Sequence, residues 1–94
     1  MTNTAGPRYK LVTAPAVRRA LGETLPEAVA AAAYEFITGP LLDAPYQVGK
    51  RLTPPLDDRH AARRGTYRIV YRIDDKAMTV TVVDIDHRRD VYHR

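Results

Sequence analysis

The chain has 94 residues, enough for one domain spanning 1–94, and no cysteine, which excludes disulfide frameworks, thiolate metal sites and cysteine nucleophiles. Its formal net charge of +4 lies wholly in the C-terminal half: Met1 to Gly49 holds four basic residues (Arg8, Lys10, Arg18, Arg19) against four acidic ones (Glu23, Glu27, Glu35, Asp43), leaving 11 basic and 7 acidic from Lys50 onward. Such asymmetry is expected of a surface for nucleic acid or another polyanion, while no apolar run approaches the roughly 20 residues that a membrane span needs.

Met1 to Pro7 is small and polar, without the charged and then apolar pattern of a signal peptide, so a loose tail on a soluble, cytoplasmic protein is expected. Tyr9 to Val12 is compatible with a short strand. Thr13 and Pro15 open a helical segment in which Val17, Ala20 and Leu21 share a face, and Gly22 is placed to stop it. Thr24-Leu25-Pro26-Glu27 has the form of a capping box, with Thr24 as N-cap and Glu27 reaching back. Leu25, Val29, Ala32, Ala33, Phe36 and Ile37 then repeat at helical spacing until Gly39-Pro40. The short link between the two segments predicts a helical hairpin. Leu41 to Pro55 is expected to be an irregular connection.

Beyond that connection the period changes from 3.6 to 2. His60 to Arg64 reads as a strand entering a tight turn at Gly65. Tyr67, Ile69, Tyr71 and Ile73 then point one way, and Thr66, Arg68, Val70 and Arg72 the other. Asp74-Asp75-Lys76 makes a turn, and Met78 to Ile85 is a β-branched strand expected to be buried on much of both faces. The order is β-α-α-β-β-β: an α+β fold with a small antiparallel sheet and an N-terminal helical hairpin on one face. The helices should cover the Tyr67, Ile69, Tyr71 and Ile73 face. The opposite face, carrying Arg68 and Arg72, is the expected working surface. Repeated arginines on one strand face repel each other unless something anionic sits against them, and a phosphate backbone fits.

Three motifs in register carry a family resemblance. Gly65-Thr66-Tyr67-Arg68-Ile69-Val70-Tyr71-Arg72-Ile73-Asp74-Asp75 resembles the central strand of the RelE/ParE toxin superfamily. His87-Arg88-Arg89-Asp90-Val91-Tyr92 resembles the ending found in its RelE branch, and Gly49-Lys50-Arg51-Leu52 resembles the segment before the middle strands. The resemblance spans Tyr9 to Tyr92. It implies the toxin of a bacterial type II toxin–antitoxin pair that cuts mRNA in the ribosomal A site. The cut is attack of the ribose 2′-OH on the adjacent phosphate, giving a 2′,3′-cyclic phosphate and a 5′-OH. The partners implied are a cognate antitoxin protein and mRNA on the ribosome. No metal or other cofactor is implied, in keeping with three histidines, no cysteine and no i,i+4 histidine pair.

The chemistry needs a base for the 2′-OH, stabilisation of a phosphorane and an acid for the 5′-oxygen. Arg68 matches the family arginine of the central strand and is the first candidate for phosphorane stabilisation, since a guanidinium stays charged and binds phosphate through two parallel hydrogen bonds. An outward arginine merely solvated on an antiparallel sheet is the alternative. Arg88 matches the basic residue near the scissile phosphate, and Tyr92 the C-terminal tyrosine that stacks on a base or helps proton transfer. His87, the one histidine inside a matched motif, is either the acid–base group or a structural residue at a strand end. Arg68, His87, Arg88 and Tyr92 are therefore the catalytic candidates, and Lys50, Arg51, Arg59, Arg63, Arg64 and Arg72 the RNA- and phosphate-binding ones. His60 could also face the site.

One departure from the family stands out. Well-known members carry two lysines, one residue apart, on the strand before the central one; the corresponding positions here hold Arg59 and Ala61. Arginine is a poor general base because it holds its proton, and alanine has no acid–base chemistry. The phosphate-binding half of the site is therefore present in the sequence, while the acid–base half lacks the family's lysines and would rest on His60 or His87, which points to altered or slower cleavage. The competing expectation is a ParE-like protein, which shares the fold but inhibits DNA gyrase by binding.

Overall fold

The computed structural model describes residues 8–87. In chain order the elements are β1 (Lys10–Thr13), α1 (Pro15–Arg19), a π-helical turn (Ala20–Thr24), α2 (Glu27–Thr38), α3 (Pro40–Asp43), β2 (Lys50–Arg51), β3 (His60–Arg64), β4 (Tyr67–Asp74) and β5 (Thr79–His87). The α+β architecture and the strands after residue 60 follow the alternation of the sequence. The five strands form one sheet in the order β1-β5-β4-β3-β2. The tail at Met1 to Pro7 and the candidates Arg88 and Tyr92 lie outside the described residues.

The sheet is mixed and not purely antiparallel. The β2–β3, β3–β4 and β4–β5 pairs are antiparallel, but β1 lies parallel to β5, with Lys10 opposite Thr79 and Thr13 opposite Val82. A parallel pair needs a long connection, and here the whole helical layer and three strands separate the two partners. The additional strand β2, within the stretch expected to be irregular, is held against β3 through Lys50–Ala61 and Arg51–His60. Leu41 and Leu42 in that stretch form α3 and are buried.

The helical boundaries depart from the sequence in two places. Gly22 does not end the first helical segment, which continues to Thr24 as a π turn closed by the Leu25 N–H donating to the Ala20 carbonyl at 3.0 Å. The capping box does not form. Thr24 is the last residue of that turn, and Pro26 occupies the N-cap position of α2 without a side-chain cap. At its other end α2 is capped from outside: Arg8 Nη2 donates to the carbonyls of Thr38 (2.7 Å) and Gly39 (3.2 Å), while its Nε binds Asp43 Oδ1 at 2.6 Å. A guanidinium there satisfies orphan carbonyls and opposes the negative end of the helix dipole.

The core lies between the helices and one face of the sheet. Val17, Ile37 and Leu41 from the helical layer meet Ile69, Tyr71, Val80 and Val82 from the sheet, all fully buried. Each such side chain contributes about 1.5–3 kcal/mol through removal of apolar surface from water. Tyr71 keeps its hydroxyl satisfied by donating to the Pro45 carbonyl at 2.7 Å, and burial pushes its pKa up to about 12. Gly65, at φ +58° in the β3–β4 hairpin, occupies the left-handed region where glycine is favoured.

Strand β5 changes phase midway. Val70 pairs with Asp84 but Tyr71 pairs with Val82, which leaves Val83 as an extra residue in a bulge. Before the bulge Val80 and Val82 point into the core; after it Ile85 does. Asp84 and Asp86 are thereby turned outward, onto the face opposite the helices.

Candidate functional site

On the face away from the helices, register partners form two rows across the sheet. One row is Lys50, Ala61, Val70 and Asp84, contributed in turn by β2, β3, β4 and β5; the next is Arg63, Arg68 and Asp86 from β3, β4 and β5. Arg68 sits at the meeting of two grooves. The first, of about 520 Å³, is lined by Val48, Gly49, Lys50, Leu52, Ala61, Arg63, Arg64 and Arg68, and so presents four cations and no carboxylate. The second, of about 560 Å³, is lined by Leu52, Thr53, Leu56, Arg59, Arg68, Val70, Val83 and Asp84. Arg68 and Leu52 belong to both.

Arg68 is held by Asp86, with Nη2 to Oδ2 at 3.3 Å, and its Nε is buried without a hydrogen-bond partner. Its side chain is 35% exposed, so part of the guanidinium faces solvent. Arg59 is similar: Nε lies 3.6 Å from Asp58 Oδ1, too far for a hydrogen bond. Lys50 is placed by Gly49, where any Cβ would come within 2.5 Å of the Tyr71 hydroxyl and 2.7 Å of the Ala61 carbonyl. Only a glycine allows β2 to lie this close to β3 and present Lys50 beside Ala61.

The sequence candidates thus separate into groups. Lys50, Arg59, Arg63, Arg64 and Arg68 are gathered along the two grooves. Arg64 reaches its groove from the core side of β3, with its guanidinium 4.6 Å from the centre of the Phe36 ring. Arg72 shares the face of Arg68 but stands at the other end of β4. There it lies 3.9 Å from Asp58, in a separate hollow with Asp74 and Asp75. Arg51 pairs with His60 and so belongs to the helix side.

Both described histidines lie away from Arg68. His87 pairs with Tyr67, whose side chain is buried in the core, so the register places His87 on the helix side. The bulge at Val83 is the cause, because it gives His87 the parity of Ile85. His60, which the sequence leaves free to face the site, is buried on the helix side, stacked on Tyr71 and edge-on to Tyr46, each with ring centroids 5.6 Å away. Desolvation, and then the charge of Arg51, hold its pKa below the ordinary value.

Asp84 and Asp86 went unremarked in the sequence. The signal was the doubled Val82-Val83 followed by Asp-Ile-Asp, a change of alternation that only a bulge reconciles with a buried Val82 and a buried Ile85. Also unforeseen is the clamp on the β4–β5 turn, where Asp75 accepts from the hydroxyls of Tyr9 and Tyr46, both at 2.6 Å. These bonds lower the Asp75 pKa and push that of Tyr9 up to about 12. Among the described residues no group of three or more His, Cys, Asp or Glu side chains could hold a metal ion, and no helix is long and apolar enough to cross a membrane.

Residues 10–92 match the family described as the ParE toxin of the type II toxin–antitoxin system parDE. The chain belongs to this toxin family. Within the family it is similar to two toxins of Mycobacterium tuberculosis. Toxin RelE is 44% identical over 86 residues, covering 92% of this chain and 87% of that protein. Toxin RelG is 49% identical over 70 residues, covering 74% and 80% respectively. Among solved structures, the toxin–antitoxin complex RelBE2 of the same organism contains a chain with TM-score 0.82 and 43% identity, matched over 87% of this toxin and 100% of its own length. The toxin thus has a RelE-type fold, as the central-strand and C-terminal motifs imply.

Proposed function

We propose that this toxin is a metal-independent endoribonuclease that cuts mRNA in the ribosomal A site and so inhibits translation in the cytoplasm. The observation that carries this reading is the groove of Lys50, Arg63, Arg64 and Arg68, a strip of cations with no carboxylate beside a guanidinium that is partly open to solvent. A phosphodiester laid along that strip replaces water around four cations with charge-assisted hydrogen bonds and releases counterions from the phosphate backbone. Arg68 then lies where negative charge grows as the ribose 2′-OH attacks phosphorus. Arg59 extends the cationic track into the second groove. Arg88 and Tyr92 remain candidates for the phosphate and base contacts. His87 takes part in this reading only if the strand end turns over, because its register places it behind the sheet.

A cognate antitoxin is the protein partner in this reading, supported by the likeness to the toxin of the RelBE2 toxin–antitoxin complex. Its acidic or apolar side chains are expected against the Arg59 to Arg68 region, which would mask the groove. A complex that leaves Arg68 open would contradict this placement.

The family description names ParE, and Ala61 lacks the lysine of well-known RelE members, so gyrase inhibition is the second reading. The two separate in one pair of assays. The nuclease reading expects cleaved ribosome-bound mRNA bearing 5′-hydroxyl and 2′,3′-cyclic phosphate ends, with DNA supercoiling unaffected. Inhibited supercoiling with intact mRNA would transfer the function to the second reading and make the arginine face a binding surface.

A further inference from the structure

The acid–base groups missing from the sequence motif have counterparts at the two ends of one sheet row. Lys50, Ala61, Val70 and Asp84 are successive partners across β2, β3, β4 and β5. Three inter-strand spacings of about 4.8 Å put the outer two roughly 14 Å apart at Cα. The two inner positions are a methyl and an isopropyl group, so the floor between the ends is low. Arg68 stands one row along, between the grooves that hold Lys50 and Asp84.

In-line displacement at phosphorus places the attacking and leaving oxygens on opposite sides, so the base and the acid must flank the group that binds the phosphate. Few side chains along these grooves can move a proton. Arg59, Arg63, Arg64 and Arg68 cannot release one, Asp86 is engaged with Arg68 at 3.3 Å, and both described histidines are on the other face. Among the described residues Lys50 and Asp84 are left, one on each side of Arg68, and both are exposed.

Resting on the nuclease reading, we infer that Asp84 is the general base and Lys50 the general acid of the cleavage. The Asp84 carboxylate takes the proton of the 2′-OH as the bond from O2′ to phosphorus forms. The bond from phosphorus to O5′ breaks, and the Lys50 ammonium gives O5′ its proton. The products are a 2′,3′-cyclic phosphate and a 5′-OH; exchange with water then restores the carboxylate and the ammonium. Ala61 has a role in this arrangement: its small side chain leaves room for the phosphate, while the ammonium that relatives carry at this position comes from the neighbouring strand.

The experiment is single-turnover cleavage of mRNA on purified translating ribosomes across pH 5–9, with RNA affinity measured in parallel. Asp84→Asn should cut about 100-fold more slowly throughout this range, and Asp84→Glu should recover much of the rate. Lys50→Arg keeps the charge but cannot donate a proton, so it should bind RNA like the wild type and cut about 100-fold more slowly. Circular dichroism checks that each variant is folded. Wild-type rate in Asp84→Asn overturns the base, and wild-type rate in Lys50→Arg overturns the acid. A wild-type toxin that cuts no ribosome-bound message overturns the nuclease reading and this pair together, whereas cutting by the wild type with unaffected variants overturns the pair alone.

Discussion

Side chains of one chemical type take opposite roles here according to the sheet face they occupy. Arg68 lies in a half-buried pair with Asp86 at the sheet surface, where ion pairs are worth about 0–1 kcal/mol, so its value lies in what it can bind and not in holding the fold. His60, by contrast, belongs to the core. Burial keeps it neutral, so its folded pKa is below the unfolded value. The unfolded chain then binds more protons as pH falls through and below the ordinary histidine range, and stability drops in that window. The toxin should therefore melt at a lower temperature at pH 5.5 than at pH 7.5, and His60→Phe should shrink the difference. An equal difference in the variant would assign the pH dependence to another group. The sequence could not place His60, because a strand beginning at a histidine is compatible with either face until its partners are known. Tyr46, which closes over it, comes from the connecting stretch.

At the scale of elements, strands with unbroken alternation were the most legible. In β4 the alternation of Tyr67, Ile69 and Tyr71 with Arg68 and Arg72 gives both faces directly, and the structure agrees. β1 lies where a short strand is expected, but its parallel partner is remote in sequence and was not legible, and β2, at two residues, is too short for a period. The first helix continues past Gly22 as a wider π turn, in which the Leu25 N–H reaches back five residues to the Ala20 carbonyl. β5 hid the site's carboxylates because its alternation changes phase at Val83. Deleting Val83 would remove the bulge and leave strict alternation, with Val82 and Ile85 inward and Asp84 and Asp86 outward, so every β4–β5 partner keeps its place. The deletion should therefore retain a cooperative urea transition, with stability changed by about 1–3 kcal/mol, and Val83→Ala should lower stability by about 1 kcal/mol. Loss of the transition in the deletion variant would show that the extra residue is needed for more than the change of face.

For the molecule as a whole, the net charge of +4 matters less than its placement. The groove with Lys50, Arg63, Arg64 and Arg68 has no carboxylate, while the hollow around Arg72 contains Asp58, Asp74 and Asp75. Binding of single-stranded RNA should therefore weaken steeply with salt, and removing one phosphate-contacting cation should reduce the log–log slope by about 0.7. Arg63→Ala should show that reduction in fluorescence anisotropy titrations, and Arg72→Ala should leave the slope unchanged. Equal effects from both would mean that RNA responds to overall charge and not to the groove.

The most direct test of the nuclease account is to map mRNA 5′ ends by primer extension after adding the toxin to cell-free translation, beside Arg68→Ala. New 5′ ends within ribosome-occupied codons are expected with the wild type, reduced about 100-fold or more in the variant. The variant's melting temperature should stay within about 5 °C of the wild type, because only a half-buried surface ion pair is lost. Undamaged mRNA with the wild type, or cuts that persist in a folded Arg68→Ala variant, would contradict the account.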